Sequence, residues 1–400
     1  MKDDSKDFSA QDDSRRNFMR NLLFGVGTTA FGIQGLTAMA GENSFRPSAK
    51  AVRKVQRGGK LGVALVGLGS YSKGQLAPAL QETKLCELKG IVTGSPEKIP
   101  KWQKKYDIPD ANVYNYANFD DIANNDDIDI IYIVLPNGMH AEYTIRAAKT
   151  GKHVICEKPM ATNVADARAM LAACEKAKVK LSIGYRLHFE PYNREMMRLG
   201  QKEVYGSVQK IIADDAMNLG PSSWRYDKEL AGGGPLQDVG IYCIQGAIYT
   251  KGKVPVSVTA EYEPVTDKEK FKEVEQGVKW QMQFADGSVA DCRTSYVQNF
   301  NLLRAETPDE WFELTPAYAY GGIKGESSKE GEMKYEEVNQ QALQMDDFAD
   351  CILNNKRTRV PGEMGIRDVA IIAAVYEAAD TGKKVAISEE IQNAFIDKEF

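Results

Sequence analysis

The apolar run Leu61-Gly-Val-Ala-Leu-Val66 leads directly into Gly67-Leu68-Gly69-Ser70-Tyr71, and residues 75–81 then take up helical spacing. A strand that is apolar on both faces must be covered on both, as a central strand of a parallel sheet is by flanking helices. The turn is as restrictive as the strand. Glycine bends tightly without a Cβ in the way, and exposed backbone amides at a helix N-terminus favour a pyrophosphate. The stretch therefore predicts the opening of a Rossmann unit, with Ser72 in the position of its third glycine.

The strand and helix rhythm continues downstream. An apolar strand over 86–92 ends in Thr93-Gly94-Ser95 with Lys98 just beyond, and no carboxylate precedes Glu97. Hydroxyls and an ammonium there suit a ribose 2′-phosphate, so NADP is favoured over NAD. The next predicted strand, 128–135, carries Leu135-Pro136-Asn137, and His140 opens the helix 141–149. Asn137 is placed to meet the nicotinamide end of the cofactor, and His140 to cap or pack near that helix start. The short strand 154–156 delivers Glu157-Lys158-Pro159 to its carboxyl end, where open α/β sheets bind their ligands. A helix over 164–177 and a strand over 180–185 complete the unit, and Tyr185-Arg186 follows on the same rim.

Four hundred residues exceed one ordinary core. After 185 the pattern changes to strand alternation over 207–213, 256–262, 278–284 and 288–294, with Asp286-Gly287 as a hairpin signal. The expected fold is thus α/β: a Rossmann dinucleotide-binding domain over 61–185, then an α+β domain over 186–400 with an open, mainly antiparallel sheet. Segments 344–354 and 365–381 close the chain. A net charge of −5 without a basic stripe gives no reason to expect nucleic acid or anionic lipid as a partner. Six scattered cysteines lack metal or redox spacing, several sit in apolar runs and read as buried free thiols, and three histidines leave little for a metal site.

Residues 1–13 are polar and acidic; Arg15-Arg16 follows, then a mildly apolar stretch ending in Ala38-Met39-Ala40. This predicts a twin-arginine export signal over 1–40, a mature chain starting at Gly41, a flexible arm over 41–60 and a periplasmic location. An N-terminal membrane anchor is the alternative reading. No other segment is apolar enough to span a bilayer.

Gly67-Leu-Gly69, Leu135-Pro-Asn137, Glu157-Lys-Pro159, Gly184-Tyr-Arg186 and Gly232-Gly-Gly-Pro-Leu-Gln-Asp238-Val-Gly240-Ile-Tyr242 occur in that order. Together they resemble the glucose-fructose oxidoreductase and inositol dehydrogenase family, over nearly the whole chain after residue 60. The export signal, the Thr-Gly-Ser-Pro-Glu-Lys98 turn and Tyr242 point to its glucose-fructose oxidoreductase branch, although the arm before Lys60 is poor in the prolines of that branch. The resemblance implies an NADP-dependent sugar oxidoreductase whose closing segments, 344–354 and 365–381, pack back on the first domain. Lys158 would donate a hydrogen bond to the reacting oxygen, Tyr242 would be the general acid/base, and Asp238 would hold sugar hydroxyls or orient Lys158. A helix over 236–249 would put Asp238 and Tyr242 on one face, and a helix cap is the plainer role for Asp238.

The expected cofactor set comprises Gly67, Leu68, Gly69, Ser70, Tyr71, Thr93, Gly94, Ser95, Lys98, Leu135, Pro136, Asn137, His140, Glu157, Lys158, Arg186, Trp224 and Arg225. Tyr185 and His188 join Lys158, Asp238 and Tyr242 as expected sugar contacts, and Tyr318 and Tyr320 are either a pocket lid or packing. No metal is called for, and a homodimer or homotetramer is implied. Two other classes remain open: a glycoside hydrolase working through a bound dinucleotide, and a nucleotide-sensing binding protein without turnover.

Overall fold

The structure, a computed structural model, describes residues 59–400. The predicted export signal and all but the last residues of the arm lie outside the described residues. Six parallel strands form the first sheet: β1 (Leu61–Val66), β2 (Cys86–Val92), β3 (Val113–Tyr114), β4 (Ile130–Ile133), β5 (His153–Cys156) and β6 (Leu181–Ile183). Their order is β3-β2-β1-β4-β5-β6, so the winding reverses between β1 and β4 and leaves a crevice at their carboxyl ends. The continuous burial of β1, β4 and β5 is what their apolar runs demand. The strand predicted at 128–135 is therefore the fourth in chain order. The third, β3, is two residues long and too short to carry a periodicity.

The second sheet has nine strands: β7 (Lys210–Ala216), β8 (Ser257–Tyr262), β9 (Gly277–Gln283), β10 (Val289–Ser295), β11 (Phe300–Glu306), β12 (Trp311–Leu314), β13 (Gly325–Ser327), β14 (Gly331–Met333) and β15 (Val385–Ala386). All neighbours are antiparallel except β7 and β10. β7 begins three residues later than the alternation predicts and runs on through Asp214 and Asp215. Two adjacent carboxylates argue against a strand on propensity alone, but Arg293 pairs with Asp214 at 2.9 Å and Asp215 turns into the core. Gly287, at φ +87°, makes the predicted hairpin turn.

Two helices bring the chain end back to the first sheet. Gln340–Leu353 starts at Asn339, whose side chain accepts from the Ala342 N–H at 3.1 Å. It buries Ala342, Met345, Phe348 and Ile352 in the same core as Leu61, Leu65 and Leu76. Gly362–Thr381 packs on the helix Val164–Ala177 and on β8. Among the described residues no helix is long and apolar enough to cross a membrane, no cluster of metal-binding side chains occurs, and all six cysteines are free and buried.

Candidate active site

At the end of β1 the chain turns on Gly67, which takes φ +94°; a Cβ there would come within 2.5 Å of the Val134 carbonyl oxygen. Gly69 differs. A Cβ on it would meet nothing within 4 Å, so its backbone borders open space in a cleft of about 760 Å³. Ser72 takes over the close packing of a third glycine by donating its hydroxyl to the Gly67 carbonyl at 2.6 Å, and a π-helical turn, Ser72–Leu76, leads into the helix Ala77–Glu82.

Thr93, Gly94, Ser95 and Lys98 form one end of the cleft. The Ser95 N–H donates to the Thr93 hydroxyl at 3.0 Å, and Lys98 Nζ donates to the Ser95 hydroxyl at 3.1 Å. The Tyr116 ring covers Gly94 so closely that a Cβ would come within 2.8 Å of it. Leu68, Ser70, Tyr71, Leu135, Pro136, Trp224 and Arg225 also line the cleft. An open glycine turn, hydroxyls and an ammonium in the loop after β2, and Lys158 in the same cleft fit a dinucleotide carrying a 2′-phosphate.

Asn137 lines the cleft, but its amide donates to the Ala231 carbonyl at 2.8 Å and ties the β4 turn to the helix Lys228–Ala231. His140 is 1% exposed, and its two ring nitrogens lie 2.8 Å from the carbonyl oxygens of Leu135 and Pro159. The expected cofactor contact at His140 is thus corrected: the imidazole is buried between the ends of β4 and β5, and burial lowers its pKa. Glu157 accepts from the Tyr132 hydroxyl at 2.7 Å and from the Lys158 N–H at 3.2 Å. Burial pushes that carboxyl above its ordinary range. Its oxygens would lie 2.6 Å from a Cβ on Gly184, which accounts for the glycine in Gly184-Tyr-Arg186.

Lys158 stands at the centre. Its ammonium donates to the Asp238 carbonyl oxygen at 2.5 Å and to Asp238 Oδ1 at 3.3 Å, and lies 4.8 Å from the centre of the Tyr242 ring. Asp238 Oδ2 accepts from Arg225 Nε at 2.6 Å and from the Tyr296 hydroxyl at 3.1 Å. Burial alone would raise the Asp238 carboxyl, but Arg225 and Lys158 outweigh it and hold it well below the carboxylate range. Burial likewise would lower Lys158, and the charges of Tyr242 and Asp238 reverse that and raise it. An ammonium and a carboxylate therefore face each other at any ordinary pH.

Asp238 lies in a π-helical turn, Leu236–Gly240, and Tyr242 in the helix Ile241–Lys251, yet both line the cleft. The start of that turn is anchored by Glu275, which accepts from the Gly234 and Leu236 N–H groups at 2.8 and 3.1 Å. Tyr242 stacks on Tyr318 with ring centres 6.0 Å apart.

Three expected contacts are corrected by the turn Arg186–Phe189, which plunges inward and is buried throughout. Arg186 stands behind the cleft wall, 4.2 and 5.2 Å from the centres of the Tyr320 and Tyr242 rings; it donates to the carbonyls of Tyr318 and Ala319 at 2.5 and 3.0 Å and to the Gln340 side chain. His188 lies between Gln245 Oε1 at 2.7 Å and Asp397 Oδ2 at 3.1 Å, and Tyr185 packs beside it with ring centres 6.3 Å apart. Conversely, Tyr296, Tyr116, Glu275 and Asp215 belong to the site region without having been singled out. The inward alternation of β10, continued past Thr294, leads to Tyr296. Asp215 is 5% exposed, accepts from the Asn301 amide at 3.3 Å, and its carboxyl is pushed well up by burial despite the nearby charges of Lys158 and Arg186.

Residues 61–185 match the family described as oxidoreductase family, NAD-binding Rossmann fold; 194–314 match the GFO/IDH/MocA C-terminal domain, and 321–387 the oxidoreductase family C-terminal alpha/beta domain. A D-xylose 1-dehydrogenase [NADP(+)] of Haloarcula marismortui is 30% identical over 338 residues, covering 81% of this chain and 92% of its own. A D-glucoside 3-dehydrogenase of Escherichia coli is 25% identical over 283 residues, covering 65% of this chain and 79% of its own. The crystal structure of an aldose-aldose oxidoreductase from Caulobacter crescentus, complexed with glycerol, superposes with a TM-score of 0.80 at 39% identity, covering 82% of this chain and all 100% of that one.

Proposed function

The chain belongs to the glucose-fructose oxidoreductase and inositol dehydrogenase (GFO/IDH/MocA) family of NAD(P)-dependent sugar oxidoreductases, and from that membership we propose an exported, NADP-dependent enzyme that oxidises an aldose at its anomeric carbon. The observation that carries this reading is the ammonium of Lys158 held between Asp238 and the Tyr242 ring, in the same cleft as the open glycine turn.

A bound nicotinamide supplies the hydride acceptor. An ammonium has three N–H donors. Asp238 takes up two of those on Lys158, and the third is left for the oxygen of the reacting hydroxyl. Tyr242, on the same wall, accepts the hydroxyl proton as the phenolate while the carbonyl forms, and returns it as the phenol when a carbonyl is reduced. Asp238, locked by Arg225 and Tyr296, aims Lys158. The raised pKa of Lys158 suits a permanent donor rather than a Schiff-base nucleophile, which must be neutral to attack.

Lys98 and Ser95 support NADP over NAD, as do the NADP named for the xylose dehydrogenase and the absent carboxylate at the end of β2. The 39% identical aldose-aldose oxidoreductase supports a second carbonyl sugar as the acceptor that reoxidises a retained nucleotide. Export rests on Arg15-Arg16 and Ala38-Met39-Ala40. Self-association into dimers or tetramers would use the outer face of the nine-stranded sheet, and light scattering measures it.

The deciding experiment releases the nucleotide from purified protein by denaturation, identifies it, and follows lactone formation from D-glucose and D-xylose. NAD in place of NADP would overturn the cofactor assignment, and a holoenzyme that oxidises no aldose would overturn the activity.

A further inference from the structure

Tyr320 lines the cleft with Lys158 and Tyr242, yet it is 49% exposed, where Tyr242 is 8% and Tyr318 3% exposed. Its loop is nevertheless tied down on both sides. The N–H groups of Ala317 and Tyr318 donate to Asn301 Oδ1 at 2.6 and 2.8 Å. From below, Arg186 donates to the Tyr318 and Ala319 carbonyls at 2.5 and 3.0 Å. The same guanidinium lies 4.2 Å from the centre of the Tyr320 ring, and the Tyr71 ring leans against it at 5.7 Å and 32°.

A buried cation therefore lies against one face of the Tyr320 ring, and the half-exposed ring also lines the cleft. Core packing does not require a half-exposed aromatic ring held by a buried arginine. Such a ring offers a flat, electron-rich surface that attracts the slightly positive hydrogens of C–H bonds. Carbohydrates present such hydrogens in flat patches. When every ring hydroxyl of a pyranose is equatorial, the axial C–H bonds cover both faces; one axial hydroxyl interrupts a face.

We propose that the face of Tyr320 away from Arg186 is the platform on which the pyranose ring of the substrate stacks, selecting aldoses with all-equatorial ring hydroxyls, the gluco and xylo configurations. The proposal rests on the aldose oxidoreductase reading and adds to it the surface that reads the sugar. Lys158 and Tyr242 hold the reacting oxygen, and Tyr320 holds the apolar face of the ring. Arg186, read from sequence as a cofactor ligand, becomes the support of that platform.

The test uses the full-length holoenzyme with D-glucose, D-xylose and D-allose, whose axial hydroxyl interrupts one face. Tyr320→Ala is expected to raise KM for glucose and xylose roughly five- to tenfold, about the worth of one aromatic contact. In that variant kcat and nucleotide affinity, read by fluorescence titration, stay near wild type, and the preference for glucose over allose shrinks. Tyr320→Phe, which keeps the ring, restores most of the sugar affinity. An unchanged KM in Tyr320→Ala overturns the proposal. So does a Phe variant as impaired as Ala, which would make the hydroxyl the contact, or an equal loss of nucleotide affinity, which would assign the ring to the cofactor. A wild-type holoenzyme inert to every aldose would instead defeat the underlying reading, so the two failures are distinguishable.

Discussion

Lys158 and Asp238 bind each other through a carbonyl and a carboxylate oxygen, so the pair has little freedom to rotate away from Tyr242. That rigidity places the proton-transfer burden on the phenol. Tyr242→Phe is expected to lower kcat by roughly 10² or more while the nucleotide stays bound, since general acid/base groups contribute about that much; single-turnover hydride transfer and nucleotide titration measure the two effects separately. Asp215 gives a prediction of the opposite kind. Its folded-state pKa is raised by burial, so the folded protein holds the Asp215 proton to a higher pH than the unfolded chain does. Its contribution is fully present below the unfolded carboxylate pKa and is lost as pH rises toward the folded value. Asp215→Asn should therefore be more stable than wild type at pH 7 to 8, by about 1 kcal/mol or more given the cost of a poorly paired buried group. The gap should close as pH falls through the ordinary carboxylate range near 4, which thermal unfolding at several pH values would reveal.

At the scale of the element, the turn after β1 separates two uses of glycine. Gly67 needs its missing Cβ for the fold, because φ is +94° and the Val134 carbonyl oxygen would lie 2.5 Å away. Gly69 has open space where its Cβ would be, so a methyl group there meets no protein atom and intrudes only on what the cleft binds. Gly67→Ala should thus lower the thermal midpoint, by an amount matching roughly 1–3 kcal/mol of backbone strain. Gly69→Ala should unfold like wild type and bind the nucleotide several-fold more weakly. Equal stability losses in both variants would contradict this division. The helical turn that carries Asp238 is similarly held from outside: Glu275, on the loop before β9, caps its N–H groups.

Across the whole molecule, the two sheets are not independent units. The helix Gln340–Leu353 comes from the far end of the chain, yet Met345 and Phe348 complete the core under β1 and β2, and Asp346 accepts from the Lys84 and Leu85 N–H groups at 2.8 Å. A chain ending at Asn339 would expose that core. It should show no cooperative thermal transition and bind no nucleotide, and Phe348→Ala in the full chain should cost roughly 3–5 kcal/mol. A truncated chain that still melts cooperatively would refute this coupling. How far such features were legible depends on their range. β1 with its glycine turn, the Glu157-Lys158-Pro159 end of β5 and the Asp286-Gly287 hairpin were readable because short-range periodicity and turn chemistry are written in adjacent residues. The two-residue β3, the extension of β7 through Asp214 and Asp215, and the inward course of Arg186 and His188 were not. β3 is too short to carry a periodicity, and the others depend on partners remote in the chain: Arg293 for Asp214, the carbonyls of Tyr318 and Ala319 for Arg186, Asp397 for His188. By itself the sequence determined the Rossmann winding and the order of the motifs that meet at Lys158, since local backbone preference and burial of apolar runs decide those. Only the tertiary structure decided which side chains face the cleft, because that is settled where segments more than a hundred residues apart compete to satisfy the same buried charges.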